Sequence, residues 1–187
     1  MTLSHTLFPA MTRATQVLLV LGGTIFIALA AQVSVPMFPV PMTLQTLAIL
    51  IVGLTYGARL GAATLAVYLM EGAFGLPVFA NGAGTLAYMM GPTGGFLLGF
   101  VMVAFFAGLA ADRGLAKGFV STALVALLVS ALLYIPGVIW LTSVTPLSLG
   151  GAVKAGLVPF LAGDMVKAVM AALVVTGGWA AMKARRG

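Results

Sequence analysis

The stretch "ATQVLLVLGGTIFIALAAQV" (14–33), followed at once by "SVPMFPVP" (34–41), decides the fold. A helix crosses a bilayer with about 20 apolar residues, and residues 14–33 carry no charge over that length. Three prolines then end it, because a proline ring removes a backbone donor and clashes with the preceding turn. The run is apolar all round and lacks the period-2 alternation of a membrane β-barrel. Uncharged runs recur over 72–111, 118–153 and 168–182, and the first stretches from 14 to 58. The chain of 187 residues is 62% hydrophobic and 6% charged, with mean hydropathy +1.20. A soluble domain carries about 25% charged residues. The sequence therefore predicts an all-α, polytopic membrane protein forming a single integral membrane domain.

Gly and Pro punctuation divides the chain into six spans, at about 13–33, 43–57, 60–73, 95–111, 118–141 and 157–182. Arg13, the apolar run and "ALAA" (28–31) imitate a cleavable secretory signal, but the remaining spans make topological sense only if this segment stays as the first helix. Cytoplasmic loops are enriched in Lys and Arg. With six spans Arg13, Arg59, Arg113, Lys117, Lys183, Arg185 and Arg186 fall on one side, leaving Lys154 and Lys167 for the other. Both termini are then cytoplasmic, in a bacterial inner membrane, and loops 34–42, 74–94 and 142–156 face out. The net charge of +6 is topological and does not point to nucleic acid. The Gly-rich segment 75–95 cannot face lipid with unpaired backbone groups. It must fold onto the bundle or line a cavity, and so could cap a pocket in the outer half.

Cys is absent and the one His, His5, lies in the N-terminal tail, so disulfides, thiolate metal sites and Cys nucleophiles are excluded. No phosphate loop of the G-x-x-x-x-G-K-[ST] type occurs, so the chain does not hydrolyse ATP by itself. No metal site, cofactor or catalytic constellation is expected. The informative residues are Asp164 and Lys167, three apart in the last apolar segment and hence on one helix face. A lone charge near the bilayer centre costs about 2.5–3.5 kcal/mol. An ion pair lowers that cost yet leaves donors and acceptors unfilled, which points to a ligand.

Other polar groups share that half of the membrane. Glu71 either reaches the headgroups or lines the pocket. Asn81, in "FANGAG", is a turn residue or an amide that reads a ligand. Thr43 caps the second helix or joins the site, and Gln45, one turn in, is harder to explain as a cap. Tyr68, Tyr88, Phe79 and Phe160 could enclose an apolar body. The implied ligand is a small, largely apolar anion with N–H donors of its own. Two rival readings stand beside a binding subunit. One is a membrane enzyme using Glu71 and Asp164 as acid and base on a lipid-like substrate. The other is a structural membrane protein whose Asp–Lys pair serves packing alone.

"PVPMTLQTL" (39–47), "GLPVFA" (75–80), "GPTGGFLLGF" (91–100) and "AGDMVK" (162–167), in this order and spacing, resemble the BioY family. These are the biotin-specific S components of energy-coupling-factor transporters, and the resemblance covers about 13–182. It implies six helices with the vitamin bound in the outer half beneath external loops. It also implies a membrane T component and two cytoplasmic ABC-type ATPases as partners, although some members work without a dedicated set. Asp164 and Lys167 match the family's acidic–basic pair on the last helix, and Asn81 its loop Asn. Many members carry an Arg near the Gly-rich loop. No Lys or Arg occurs here from 60 to 112, so that contact is missing or taken by Glu71 or Tyr88. The resemblance further implies an A-x-x-x-A partner interface on the first helix, and "AMTRA" (10–14) places Ala10 and Ala14 at that spacing.

Biotin suits the constellation, with a ureido ring that donates two N–H groups, an apolar body and a carboxylate tail. On this reading Asp164 and Asn81 contact the ring, while Lys167 neutralises Asp164 or holds the tail. Nanomolar binding needs about −12 kcal/mol, and neutral hydrogen bonds supply about 0.5–1.5 kcal/mol each. Burial of the apolar body under a closed lid must carry much of the rest.

Overall fold

A computed structural model describes residues 11–184. Helix α1 (Arg13–Gln32) leads into a two-residue antiparallel pair, β1 (Ser34–Val35) with β2 (Met42–Thr43), then α2 (Gln45–Tyr56) and α3 (Ala58–Ala73). The Gly-rich segment carries a 3₁₀ turn (Ala80–Gly82) and the one-turn α4 (Leu86–Met89). Next come α5 (Gly94–Asp112), α6 (Phe119–Leu132), α7 (Tyr134–Val144) and α8 (Leu149–Gly156). A 3₁₀ turn (Val158–Phe160) precedes the last helix, α9 (Leu161–Ala184). Ala10, His5, Arg185 and Arg186 lie outside the described residues. Ala14 lies in the first turn of α1.

Among the described residues four helical stretches are long and apolar enough to cross a membrane: Arg13–Gln32, Gly94–Asp112, Phe119–Val144 and Leu149–Ala184. Their outward faces are apolar too, with Leu18 70% and Leu128 68% exposed. An all-round apolar helix belongs in a protein interior or in lipid. The 12-residue α2 rises about 18 Å at 1.5 Å per residue, well short of a hydrocarbon core of about 30 Å. The rest of its column is filled by the irregular, Pro-rich chain before it. That backbone finds partners in the β1–β2 pair and in the bond from Leu44 N to Val33 O, 3.0 Å.

The helical run expected over 118–141 is interrupted at Leu133 and resumes as α7. Pro136 has no N–H for the carbonyl of Leu132, and its ring crowds that turn. The segment expected as the open loop 142–156 contains α8, started by Ser148, whose hydroxyl accepts from Gly151 N at 3.2 Å. The last helix begins at Leu161, after the turn that holds Pro159.

At the basic end the bundle closes backbone against backbone. Gly57 turns the chain between α2 and α3 with φ +86°, a left-handed value, and lies directly against Gly108 of α5. A Cβ on Gly53 would sit 2.7 Å from the Ala104 carbonyl oxygen. Asp112 then receives the first N–H of α3, from Ala58, at 2.9 Å, satisfying a helix-start donor that has no intrahelical partner. At the opposite end the chain is loosely wound and rich in Gly and Pro, and a cavity lies there among the helix ends.

Candidate functional site

That cavity lies under the loops, with about 530 Å³ of atom-free space counted out through its open mouth. Val40 and Pro41 from the Pro-rich segment and Phe79 and Ala80 from the Gly-rich segment form its roof. Thr43, Gln45 and Thr46 enter from the start of α2, and Thr93, Phe96, Leu97 and Phe100 from the start of α5. Leu133 and Tyr134 enter at the α6–α7 break, while Phe160, Asp164 and Lys167 come from the approach to α9 and its first two turns. Aromatic rings make up much of the wall. Phe79 stacks on Tyr88 with centroids 5.7 Å apart, and Phe96 meets Tyr134 edge-on at 6.4 Å.

The charged centre is compact. Asp164 and Lys167 are 4% and 6% exposed, and Lys167 Nζ donates to Asp164 Oδ1 at 3.3 Å. Asp164 stands in the first turn of α9, where the helix dipole favours an anion. The Tyr134 hydroxyl donates to Asp164 Oδ2. Both carboxylate oxygens therefore have a partner, yet each can accept again. An ammonium has three donors, and within the described residues Lys167 uses one. The buried cation keeps unfilled donors on the wall of a largely apolar cavity.

The sequence-derived candidates separate into two groups. Asp164, Lys167, Gln45, Thr43 and Tyr88 share this cavity, with Phe79 and Phe160. Tyr68, Asn81 and Glu71 do not line it. Tyr68 is fully buried behind the wall, taking a hydrogen bond from Gln45 Nε2 and donating to Val78 O, both 2.7 Å. Asn81 sits outside the roof, held at φ 58° in the left-handed region, where its Oδ1 accepts from Ser34 Oγ at 2.8 Å. Thr43 stands one residue before the N-cap of α2, Leu44, which has no side-chain cap, and its hydroxyl accepts from Gln45 N at 3.2 Å and donates to Gln45 Oε1 at 2.9 Å.

Glu71 faces α1, and its Oε1 accepts from Thr24 at 3.0 Å. It therefore does not replace a family Arg on the pocket wall. Nor is it on the wall with Asp164, so the acid–base pair of the enzyme reading is not assembled. Tyr88 is on the wall.

Tyr134, Thr46, Thr93, Phe96 and Phe100 escaped the sequence reading. Tyr134 had a usable signal, since a tyrosine hydroxyl inside an apolar run needs a hydrogen-bond partner. The lid is tied down by side chains from elsewhere. Gln32 donates to Phe79 O at 3.1 Å and accepts from Gly82 N at 2.9 Å, and Trp140 Nε1 donates to Gly91 O at 2.9 Å. Gly72 lies flush against the Phe79 ring, leaving no space for a side chain there.

Comparison with known proteins identifies the family. The BioY family model matches residues 4–184. A probable biotin transporter BioY from Pyrococcus horikoshii is 38% identical over 153 residues, covering 80% of this chain and 89% of the relative. A biotin transporter BioY from Thermotoga maritima is 37% identical over 151 residues, covering 81% and 88%. A crystal structure at 2.1 Å of the S-component for biotin from an ECF-type ABC transporter superposes with TM-score 0.78 and 25% identity, over 89% of this chain and 93% of that one. The family model spans nearly the whole chain and these relatives share more than a third of its residues over four-fifths of it, so the chain belongs to the BioY family.

Proposed function

We propose that this chain is the biotin-binding membrane subunit of a vitamin uptake system. It binds biotin in the cavity beneath the loops and delivers it across the membrane, energised by a membrane T component and two cytoplasmic ABC-type ATPases. It uses no cofactor and catalyses no reaction. The observation that carries this reading is the Lys167–Asp164–Tyr134 cluster, buried on the wall of an aromatic pocket with donors left over on the lysine.

Biotin supplies what that cluster lacks. Its ureido carbonyl or its carboxylate accepts from Lys167, its ureido N–H groups donate to Asp164, and its thioether ring and chain fit among Phe79, Phe96, Phe100 and Phe160. The family's BioY-named relatives and the ECF-type biotin S-component support the ligand and the partner set.

The chain crosses the bacterial inner membrane six times, with α6 and α7 forming one crossing and α2 and α3 two short ones. The basic end is cytoplasmic and the roofed pocket faces out, which the positive-inside rule supports. Asn81 contacts ligand only if the roof rearranges, and Ala14, spaced A-x-x-x-A from Ala10 in the sequence, contributes to the T-component interface.

The test is a thermal melt of the detergent-purified chain with and without biotin. Saturation at 100 times Kd stabilises a folded protein by about 2.7 kcal/mol. A rise in melting temperature with biotin, absent with thiamine or riboflavin, is the expected result. A melt that biotin does not move, with no heat of binding in calorimetry, contradicts the proposal.

A further inference from the structure

Among the described residues, the pocket wall holds one fully buried side-chain oxygen without a hydrogen-bond partner. Thr46 is 8% exposed, lines the cavity, and its Oγ1 is buried without a hydrogen-bond partner. Helical threonines elsewhere in this chain avoid that state by donating to a carbonyl one turn back, three residues back for Thr24 and Thr142 and four back for others. Thr55 does so to Ile51, Thr64 to Leu60, Thr122 to Gly118, Thr145 to Leu141 and Thr176 to Ala172, at 2.6–2.8 Å. Thr46 is the second residue of α2, so the residues three and four back, Thr43 and Met42, lie in β2 before the helix begins, and neither carbonyl receives its hydroxyl.

Its polar neighbours offer no relief. The Thr43 hydroxyl is bonded to Gln45 on both counts, and Gln45 passes its own N–H to Tyr68, which ends the chain on the Val78 carbonyl. That relay ties the start of α2 to the Gly-rich roof and is complete within the protein. Of the three polar residues that α2 and its approach present to the cavity, Thr46 alone has an uncommitted hydroxyl. Ser130, the other buried side-chain oxygen without a partner among the described residues, is not on this wall. A buried hydroxyl left unpaired costs about 1–3 kcal/mol, a cost that a bound ligand removes.

We infer that Thr46 is a ligand-recognising residue, its hydroxyl hydrogen-bonding a polar group of the bound molecule, while Thr43 and Gln45 brace the roof. This rests on the biotin reading of the same pocket. The experiment measures biotin affinity and ligand-free melting temperature for the wild type, Thr46→Val, Thr46→Ala and Thr46→Ser. Valine keeps the shape and removes the hydroxyl, so its affinity should fall about tenfold while the ligand-free melting temperature holds or rises. Serine should stay within about threefold of wild type, and alanine carries the same test as valine if the latter does not fold. A hydroxyl-free variant that binds biotin within twofold of wild type overturns the inference and leaves the biotin reading intact. So does a fall in melting temperature with affinity unchanged. Wild-type protein that binds no biotin overturns both.

Discussion

Lys167→Met is expected to weaken biotin binding at least a hundredfold and to lower the melting temperature of the ligand-free protein. Two effects combine. The ligand loses the only cation that the described residues place on the pocket wall. Asp164 stays buried with Tyr134 as its remaining partner, and removing one member of a buried ion pair costs about 3–5 kcal/mol. The Asp164→Asn/Lys167→Met double variant separates the two. Neutralising both groups removes the unpaired charge, so stability should recover to near wild type while affinity stays low. Glu71→Gln provides the contrast, because its carboxylate is engaged with Thr24 away from the cavity, and its affinity should stay within twofold. Isothermal titration with biotin and parallel melts read all three. Recovery of binding in the double variant would assign the pair to packing alone.

Gly108→Val is the second large effect, and it involves no ligand contact. A Cβ at Gly108 would overlap the backbone of Gly57 and Ala58, where no side chain can rotate away. Overpacking a core costs about 1–3 kcal/mol when neighbours can yield. Here they are the turn that Asp112 caps, so a loss of about 3 kcal/mol or more is expected. Gly22→Ala should be neutral or mildly stabilising, since nothing lies within 4 Å of its added methyl and alanine favours a helix by about 0.5–1 kcal/mol. Melting curves in one detergent compare the two. Equal stability would mean that α2, α3 and α5 do not meet as closely as described.

The long helices were legible because hydropathy integrates over many residues: α1, α5 and α9 each sit within an uncharged or nearly uncharged run. Helix α8 was not. It has eight residues, three of them glycine, a residue that weakens a helix interior, and it packs against α7, so its period runs over too few residues to stand out. Pro136 marked the break in 118–141, but a proline inside an apolar run signals an interruption without saying how the chain resumes.

The site was legible in its costly members. A carboxylate and an ammonium in an apolar segment demand an explanation, and both stand on the pocket wall. Neutral hydroxyls demand much less. Tyr134 and Thr46 look ordinary until their neighbours are known, and Thr46 stands out only because nothing meets it. Glu71 misled for the same reason in reverse: its partner, Thr24, is 47 residues away in sequence. Asn81 was rightly seen as a residue of a Gly-rich turn. Whether it reaches the ligand depends on how the roof sits, which local sequence does not encode.

One measurement bears most directly on the account, a crystal structure of this protein grown with biotin. Polar atoms of the vitamin within about 3.2 Å of Lys167 Nζ and of an Asp164 oxygen, beneath Phe79, are what the account predicts. Biotin lodged elsewhere, with lysine and aspartate still closed on each other and sealed from it, would contradict it.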